Sequence, residues 1–276
     1  MFPALKDSTK TIVFTVLVLL LATGFSYIPG MFGFVYMMTP TISVLLMMLV
    51  VTRDGYTKAG WRRLGLHKLG RKQWPFVLLV PIVPLALGFG VVLLLGLADL
   101  QIGETFQGFS WASVPLILIV LYVRTVLMES LGEELGWRGY LLPVMLGCMG
   151  KKKALLLNGF IHGVWHFPII LNTDAYHADQ SLWLLLPLTV LTTTCLAPVI
   201  GEIRIRSDSV WTSSMMHTTH NLVWVVMGAL IVNRSEAAKY IAGDLSLVVV
   251  LFYLALTLFL WYGGRSATIG SRRAET

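Results

Sequence analysis

Residues 111–143 read WASVPLILIVLYVRTVLMESLGEELGWRGYLLP. The stretch opens as a continuous apolar run and then takes in Glu133, Glu134 and Arg138 without leaving its apolar background. A helix needs ~20 apolar residues to cross a bilayer. An ionisable side chain at the centre of such a helix costs roughly 2.5–3.5 kcal/mol even on the lenient insertion scale, so one that is kept there is a candidate for function. Two later apolar runs repeat the pattern, with His162-Gly163-Val164-Trp165-His166 and His217-Thr218-Thr219-His220-Asn221.

The composition agrees. The 276-residue chain is 56% hydrophobic and 13% charged, against about 25% charged residues in soluble domains. Lipid leaves no water to satisfy backbone groups, so spanning segments must be helices or a closed barrel. The apolar runs are continuous and do not alternate, which selects helices. The fold class is therefore an all-α polytopic bundle of about eight transmembrane helices, near 11–28, 31–51, 74–97, 111–131 with a continuation, 154–171, 182–203, 211–232 and 245–262. The net charge of +7 does not point to nucleic acid, because the basic residues flank apolar runs and form no stripe. Cys148 and Cys195 offer no disulfide framework or thiolate metal site.

Charge also sets the orientation. With the N-terminus inside, 17 of the 21 Lys and Arg residues fall in inner segments, Arg234 and Lys239 fall outside, and Arg124 and Arg138 lie within a span. That split places both termini in the cytoplasm. The run after Lys6 and Lys10 is read as a retained span and not a cleaved signal peptide. Trp74, Trp111, Trp183, Trp211 and Trp261 fall at span ends, where an amphipathic ring suits the interface. The segment from Trp111 to Lys151 is twice the length of a span, so a helix break is expected near Gly139 or Pro143, with the continuation along the inner face. The basic loop from Arg53 to Lys72 is expected to lie on the inner surface as an amphipathic segment.

The three clusters carry the chemistry. Glu134 and Arg138 are four apart and share a helix face, in the favourable order of acid before base. Glu133 points about 100° away, free to face a cavity as a general base. A structural ion pair alone accounts for Glu134 and Arg138 but not for Glu133. Arg124 and Glu129, earlier on the same segment, are read as a supporting ion pair. His162 and His166 also share a face, the spacing of the helical half of a zinc site. Gly163, however, stands where a zincin places its base. His217 and Asn221 share a face and both can donate hydrogen bonds, which suits an oxyanion hole. Each cluster has a bland reading as interhelical hydrogen bonding. Their convergence in depth argues against all three holding at once: His166 lies 13 residues beyond Lys153 and His217 lies 11 beyond Arg206.

At this point the chain resembles the CPBP or Abi family, which contains CAAX prenyl endopeptidases and bacteriocin-processing or self-immunity proteins. The matching residues are Glu133-Glu134-xxx-Arg138, His166 in Trp165-His166-Phe167-Pro168, and His217-xxx-Asn221. Arg204-Ile-Arg-Ser-Asp-Ser-Val-Trp is similar to the run into the family's third motif. One departure stands out: His162 occupies a position the family fills with an aromatic residue, which makes it a tuned site or a second metal-capable His. His220 is an additional polar residue in the third motif.

The spans divide the chain into helices 1–3 with a basic cytoplasmic loop in 1–110, a catalytic core in 111–232 that carries the resemblance, and a last helix with a basic tail in 233–276. The resemblance implies a glutamate-type intramembrane endopeptidase, without metal or other cofactor. In that reading Glu133 and His166 activate water, His217 and Asn221 stabilise the oxyanion, Glu134 and Arg138 support Glu133, and His162 and His220 are accessory. The residues alone do not exclude zinc. The expected partners are the lipid bilayer and a membrane-associated protein or peptide substrate. The short chain and the lack of an organelle-targeting segment suggest a bacterial inner membrane. The competing readings are a non-catalytic immunity or partner-binding protein, against which the intact motif residues argue, and an ion or proton translocator, for which no inverted repeat is seen.

Overall fold

The computed structural model describes residues 5–30 and 33–263. Met31 and the tail residues Arg265, Arg272 and Arg273 lie outside the described residues. The chain is a polytopic bundle of helices: α1 (Asp7–Ser26), α2 (Phe34–Val51), α3 (Arg71–Leu94), α4 (Val114–Leu146), α5 (Lys151–Asn172), α6 (Leu182–Ser207), α7 (Val210–Gly228) and α8 (Leu247–Gly263). The first six are long and apolar enough to cross a membrane. α8 is apolar but shorter, and α7 carries a buried polar side of Thr212, Ser213, Ser214, Thr218, Thr219 and His220.

α1 shows why these sequences suit lipid. Phe14, Val18 and Ala22, spaced by four, are fully buried, while Ile12, Val16 and Leu20 on the other side are exposed. A helix that is apolar all round has no face for water. Its buried side meets α4, where Phe14 stacks on Tyr140 with ring centroids 5.3 Å apart.

Glycines set the closest approaches. On α4, a Cβ at Gly132 would lie 2.0 Å from Met38 Cε, and one at Gly136 would lie 2.3 Å from Pro40 Cβ, both on α2. On α5, a Cβ at Gly159 would meet the Thr193 carbonyl of α6 at 2.5 Å, and one at Gly163 would meet Val190 Cα at 2.8 Å. These contacts bring α2, α4, α5 and α6 backbone to backbone, as small residues do in membrane bundles.

The long fourth segment does not break at Gly139 or Pro143. Its irregular residue is Met128, at φ −120°, ψ −81°, and residues Leu135–Leu141 are wound as a π-helix. Pro143 sits in the first turn of the final helical piece, Leu142–Leu146, where a missing N–H costs least. The wide π-turn spans Gly136, Arg138 and Gly139, and such bulges recur at functional sites.

The basic loop does not form one long helix. Only Lys58–Arg63 is a regular helix there. The left-handed Gly65 (φ +82°) and Gly70 (φ +63°) end any longer one. Instead the loop docks on the turn between α6 and α7. Val210 N donates to the Gly65 carbonyl at 3.1 Å, Trp211 Nε1 to Leu66 at 3.0 Å, and Arg204 Nη2 to Arg63 at 2.9 Å.

Two short β-pairs were not foreseen. β1 (Ala98–Leu100) pairs antiparallel with β4 (Ile231–Asn233), Asp99 opposite Val232. β2 (Thr105–Phe106) pairs with β3 (Phe109–Ser110) in a hairpin. The first pair ties the far ends of α3 and α7 together. Strands of two or three residues leave no readable alternation in a sequence.

Candidate active site

Three helices bring the motif residues to one cavity of about 480 Å³. Glu133, Glu134 and Arg138 reach it from α4, His162 and His166 from α5, and His217, His220 and Asn221 from α7. The apolar part of its wall includes Met37, Ile169, Leu196, Ile200 and Leu245.

The acidic pair divides as the helix geometry requires. Glu134 Oε1 accepts from Arg138 Nη1 at 2.9 Å, one turn on, with both side chains fully buried. The same oxygen lies 3.0 Å from His217 Nδ1. A carboxylate only accepts, so His217 donates through Nδ1. Glu133 is not the unpartnered carboxylate that the spacing predicts. Its Oε2 lies 3.0 Å from His162 Nε2. Sequence spacing within one helix could not show this, because the partner belongs to another.

Each of the cavity histidines is oriented by a hydrogen bond on at least one ring nitrogen. His166 Nδ1 lies 3.0 Å from the His162 carbonyl and therefore donates to it, which leaves Nε2 as the lone-pair nitrogen. His220 Nε2 lies 3.3 Å from the Asp244 carbonyl, so this residue faces the outer wall of the cavity and not Glu133. Arg124 and Glu129 form the expected ion pair.

Metal-ligating atoms do gather here. One atom each of Glu133, His162 and His166 lie within 4.8 Å of one another. Two His and a carboxylate are a known catalytic zinc set. His162, however, has both ring nitrogens engaged, with Nδ1 facing Arg138 Nη1 at 3.4 Å. Of the three, His166 keeps Nε2 open and Glu133 keeps one oxygen open, whereas His162 has no free ring nitrogen.

Several residues were missed by the sequence reading: Tyr36, Tyr176 and Asp244, which line the cavity, and His177, which stands behind Asp244. Tyr36 donates to the Trp165 carbonyl at 2.5 Å, and Trp165 Nε1 donates to Thr39 at 2.9 Å, which fixes the turn that carries His166. Asp244, buried in the segment before α8, accepts from Tyr176 at 3.0 Å and pairs with His177 at 3.2 Å. Burial alone would push the His177 imidazolium pKa down, but the Asp244 carboxylate outweighs it and raises it. Burial likewise pushes the Asp244 carboxyl up, and His177, His220 and Tyr176 together hold it below its ordinary value. Burial and the adjacent Asp244 raise Tyr176. The only available signal was the presence of His177 and Asp244 in segments that read as outer loops.

Fold and cavity define a multi-pass helical membrane protein with a buried acid–histidine centre. Residues 115–223, which hold all three motifs, match the family model described as Type II CAAX prenyl endopeptidase Rce1-like. Through this segment the chain is similar to that CAAX prenyl endopeptidase family. It is also similar to CAAX prenyl protease 2 of Methanococcus maripaludis, 35% identical over 81 residues, which is 28% of this chain and 28% of that protein. The match thus spans little more than a quarter of that relative's length.

Proposed function

We propose that this chain is a glutamate-type, metal-independent intramembrane endopeptidase acting on a membrane-associated protein or peptide in the cytoplasmic membrane. The observation that carries the reading is the convergence of Glu133, His166, His217 and Asn221, from three helices, on one buried cavity. A buried centre of this kind suits hydrolysis, since charge that develops there meets fixed donors and little competing water.

In this reading Glu133 takes a proton from water as the oxygen attacks the scissile carbonyl. His166 accepts a second hydrogen of the same water through Nε2, the nitrogen its backbone contact leaves open. The carbonyl oxygen becomes an oxyanion, and His217 and Asn221 donate to it. His217 already gives Nδ1 to Glu134, so its donor to the substrate is Nε2–H of the doubly protonated ring. Glu133 then passes its proton to the leaving amine, and the peptide bond breaks. Glu134 and Arg138 hold the frame: the guanidinium anchors Glu134, and Glu134 anchors His217.

The relative's printed name describes that protein as a CAAX prenyl protease. For this chain the proposed substrate is a membrane-associated protein or peptide. The test compares the membrane proteome of cells carrying wild type with that of cells carrying Glu133→Gln. A cleavage product that appears only with wild type supports the reading. Identical profiles under matched expression refute it.

A further inference from the structure

We infer that His162 is a positioning residue for the Glu133 carboxylate, fixed in a single tautomer by Arg138; the inference rests on the reading of Glu133 as the base. His162 Nδ1 lies 3.4 Å from Arg138 Nη1. A guanidinium has donors and no acceptor. Nδ1 must therefore be the acceptor, and the ring carries its proton on Nε2. That Nε2–H points at Glu133 Oε2, 3.0 Å away. The chain of hydrogen bonds runs one way, from Arg138 through His162 to Glu133.

Every member is held. Arg138 cannot turn away, since Glu134 binds it at 2.9 Å and the guanidinium is buried. The His162 ring is stacked on Trp137, with centroids 4.9 Å apart at 28°. His162 is 5% exposed and Glu133 is 3% exposed, so no bulk water competes for the contact. The ring thus pins one carboxylate oxygen and its plane, and the other oxygen is left to take the proton of water. An aromatic hydrocarbon ring at this position could pack on Trp137 but could not donate to Glu133.

The same geometry disfavours His162 as a metal ligand. A metal on Nε2 would require the proton to move to Nδ1, where it would confront the Arg138 N–H. The cluster of Glu133, His162 and His166 is better explained as a base, its positioner and a second water partner.

The test uses the full chain in detergent, on a substrate cleaved by wild type and spared by Glu133→Gln. His162→Phe keeps the stacking but loses the donor, and a misplaced base of this kind costs about 10²-fold in kcat, with KM changed by less than about threefold. His162→Gln can accept from Arg138 through its amide oxygen and donate to Glu133 through its amide nitrogen, so it recovers to within about tenfold of wild type. Selective ¹⁵N-histidine NMR of wild type, with His162→Gln as the assignment control, reads the Nε2–H tautomer directly and needs no substrate. With Glu133→Gln inactive, wild-type kcat in His162→Phe overturns this inference and leaves the peptidase reading intact. Equal losses in His162→Phe and His162→Gln overturn it in favour of packing alone. One equivalent of zinc in wild type that is absent from His162→Phe overturns it in favour of a ligand role. Wild-type turnover by Glu133→Gln refutes the reading of Glu133 as the base itself.

Discussion

His217 Nδ1 and Glu134 Oε1 stand 3.0 Å apart across α7 and α4, and that oxygen also accepts from Arg138 at 2.9 Å. One buried carboxylate oxygen therefore ties two helices together and holds the ring of the histidine proposed as the oxyanion donor. Removing one partner of a buried ion pair leaves the other uncompensated and costs on the order of 3–5 kcal/mol. Glu134→Gln is expected to lower stability by that order in denaturant unfolding, while keeping some activity because its role is electrostatic support. Unchanged stability would show that Arg138 has found another partner.

Glu133→Gln is expected to abolish peptidase activity, by at least about 10²–10⁴-fold, the usual contribution of a general base. Its thermal stability should stay close to wild type, because His162 Nε2–H can donate to an amide oxygen as it does to Glu133 Oε2. Turnover at the wild-type rate would remove Glu133 from the chemistry.

The α5–α6 contact leaves no room at Gly159, where a Cβ would lie 2.5 Å from the Thr193 carbonyl and 2.6 Å from Ala197 Cβ. Gly159→Ala should destabilise by about 1–3 kcal/mol through overpacking. It should lower activity too, because the same helix carries His162 and His166. Thermal unfolding in detergent measures the first effect. A variant as stable as wild type would mean that the two helices can separate at no cost.

The contact between His177 and Asp244 should make the outer wall of the cavity sensitive to pH. His177 is raised, so its contribution is fully present below about pH 6.5, the ordinary histidine value, and is lost as pH rises through the folded value. Asp244 is lowered, so its contribution is present above about pH 3.9 and is lost as pH falls through the folded value. Hydrogen exchange of residues 173–181, corrected for intrinsic rate, should rise as pH is raised from about pH 6.5 through the folded value of His177. His177→Gln should flatten that dependence, and an unaltered profile in the variant would dissociate the loop from this pair.

Orientation is open to direct test. Single cysteines at Lys152 and at Asp174, in a Cys148→Ser, Cys195→Ser background, should react with impermeant reagents from opposite sides of the membrane. Lys152 is expected inside and Asp174 outside. Reaction of both from one side would contradict an even number of crossings with both ends in the cytoplasm.

The membrane bundle was legible in the chain because lipid imposes a one-dimensional rule: a span must be a long apolar helix. The same rule exposed the site, since Glu133, His166, His217 and Asn221 are conspicuous only against that background. Gly132, Gly136, Gly159 and Gly163 let the helices touch, because none of them carries a side chain at the contact. The break in α4 could not be placed, because Met128 has no sequence marker and a π-turn differs from an α-turn by one hydrogen-bond register.

By itself, then, the sequence determined the helical membrane class and which polar residues occupy it, because hydrophobic length and spacing are local properties. Only the tertiary structure decided who touches whom. It gave Glu133 to His162, tied His217 to Glu134, turned His220 toward Asp244, and added Tyr36, Tyr176 and Asp244 to the cavity. Those pairings join residues that lie on different helices or in loops far apart in the chain. Periodicity along one helix carries no information about the face a neighbouring helix presents.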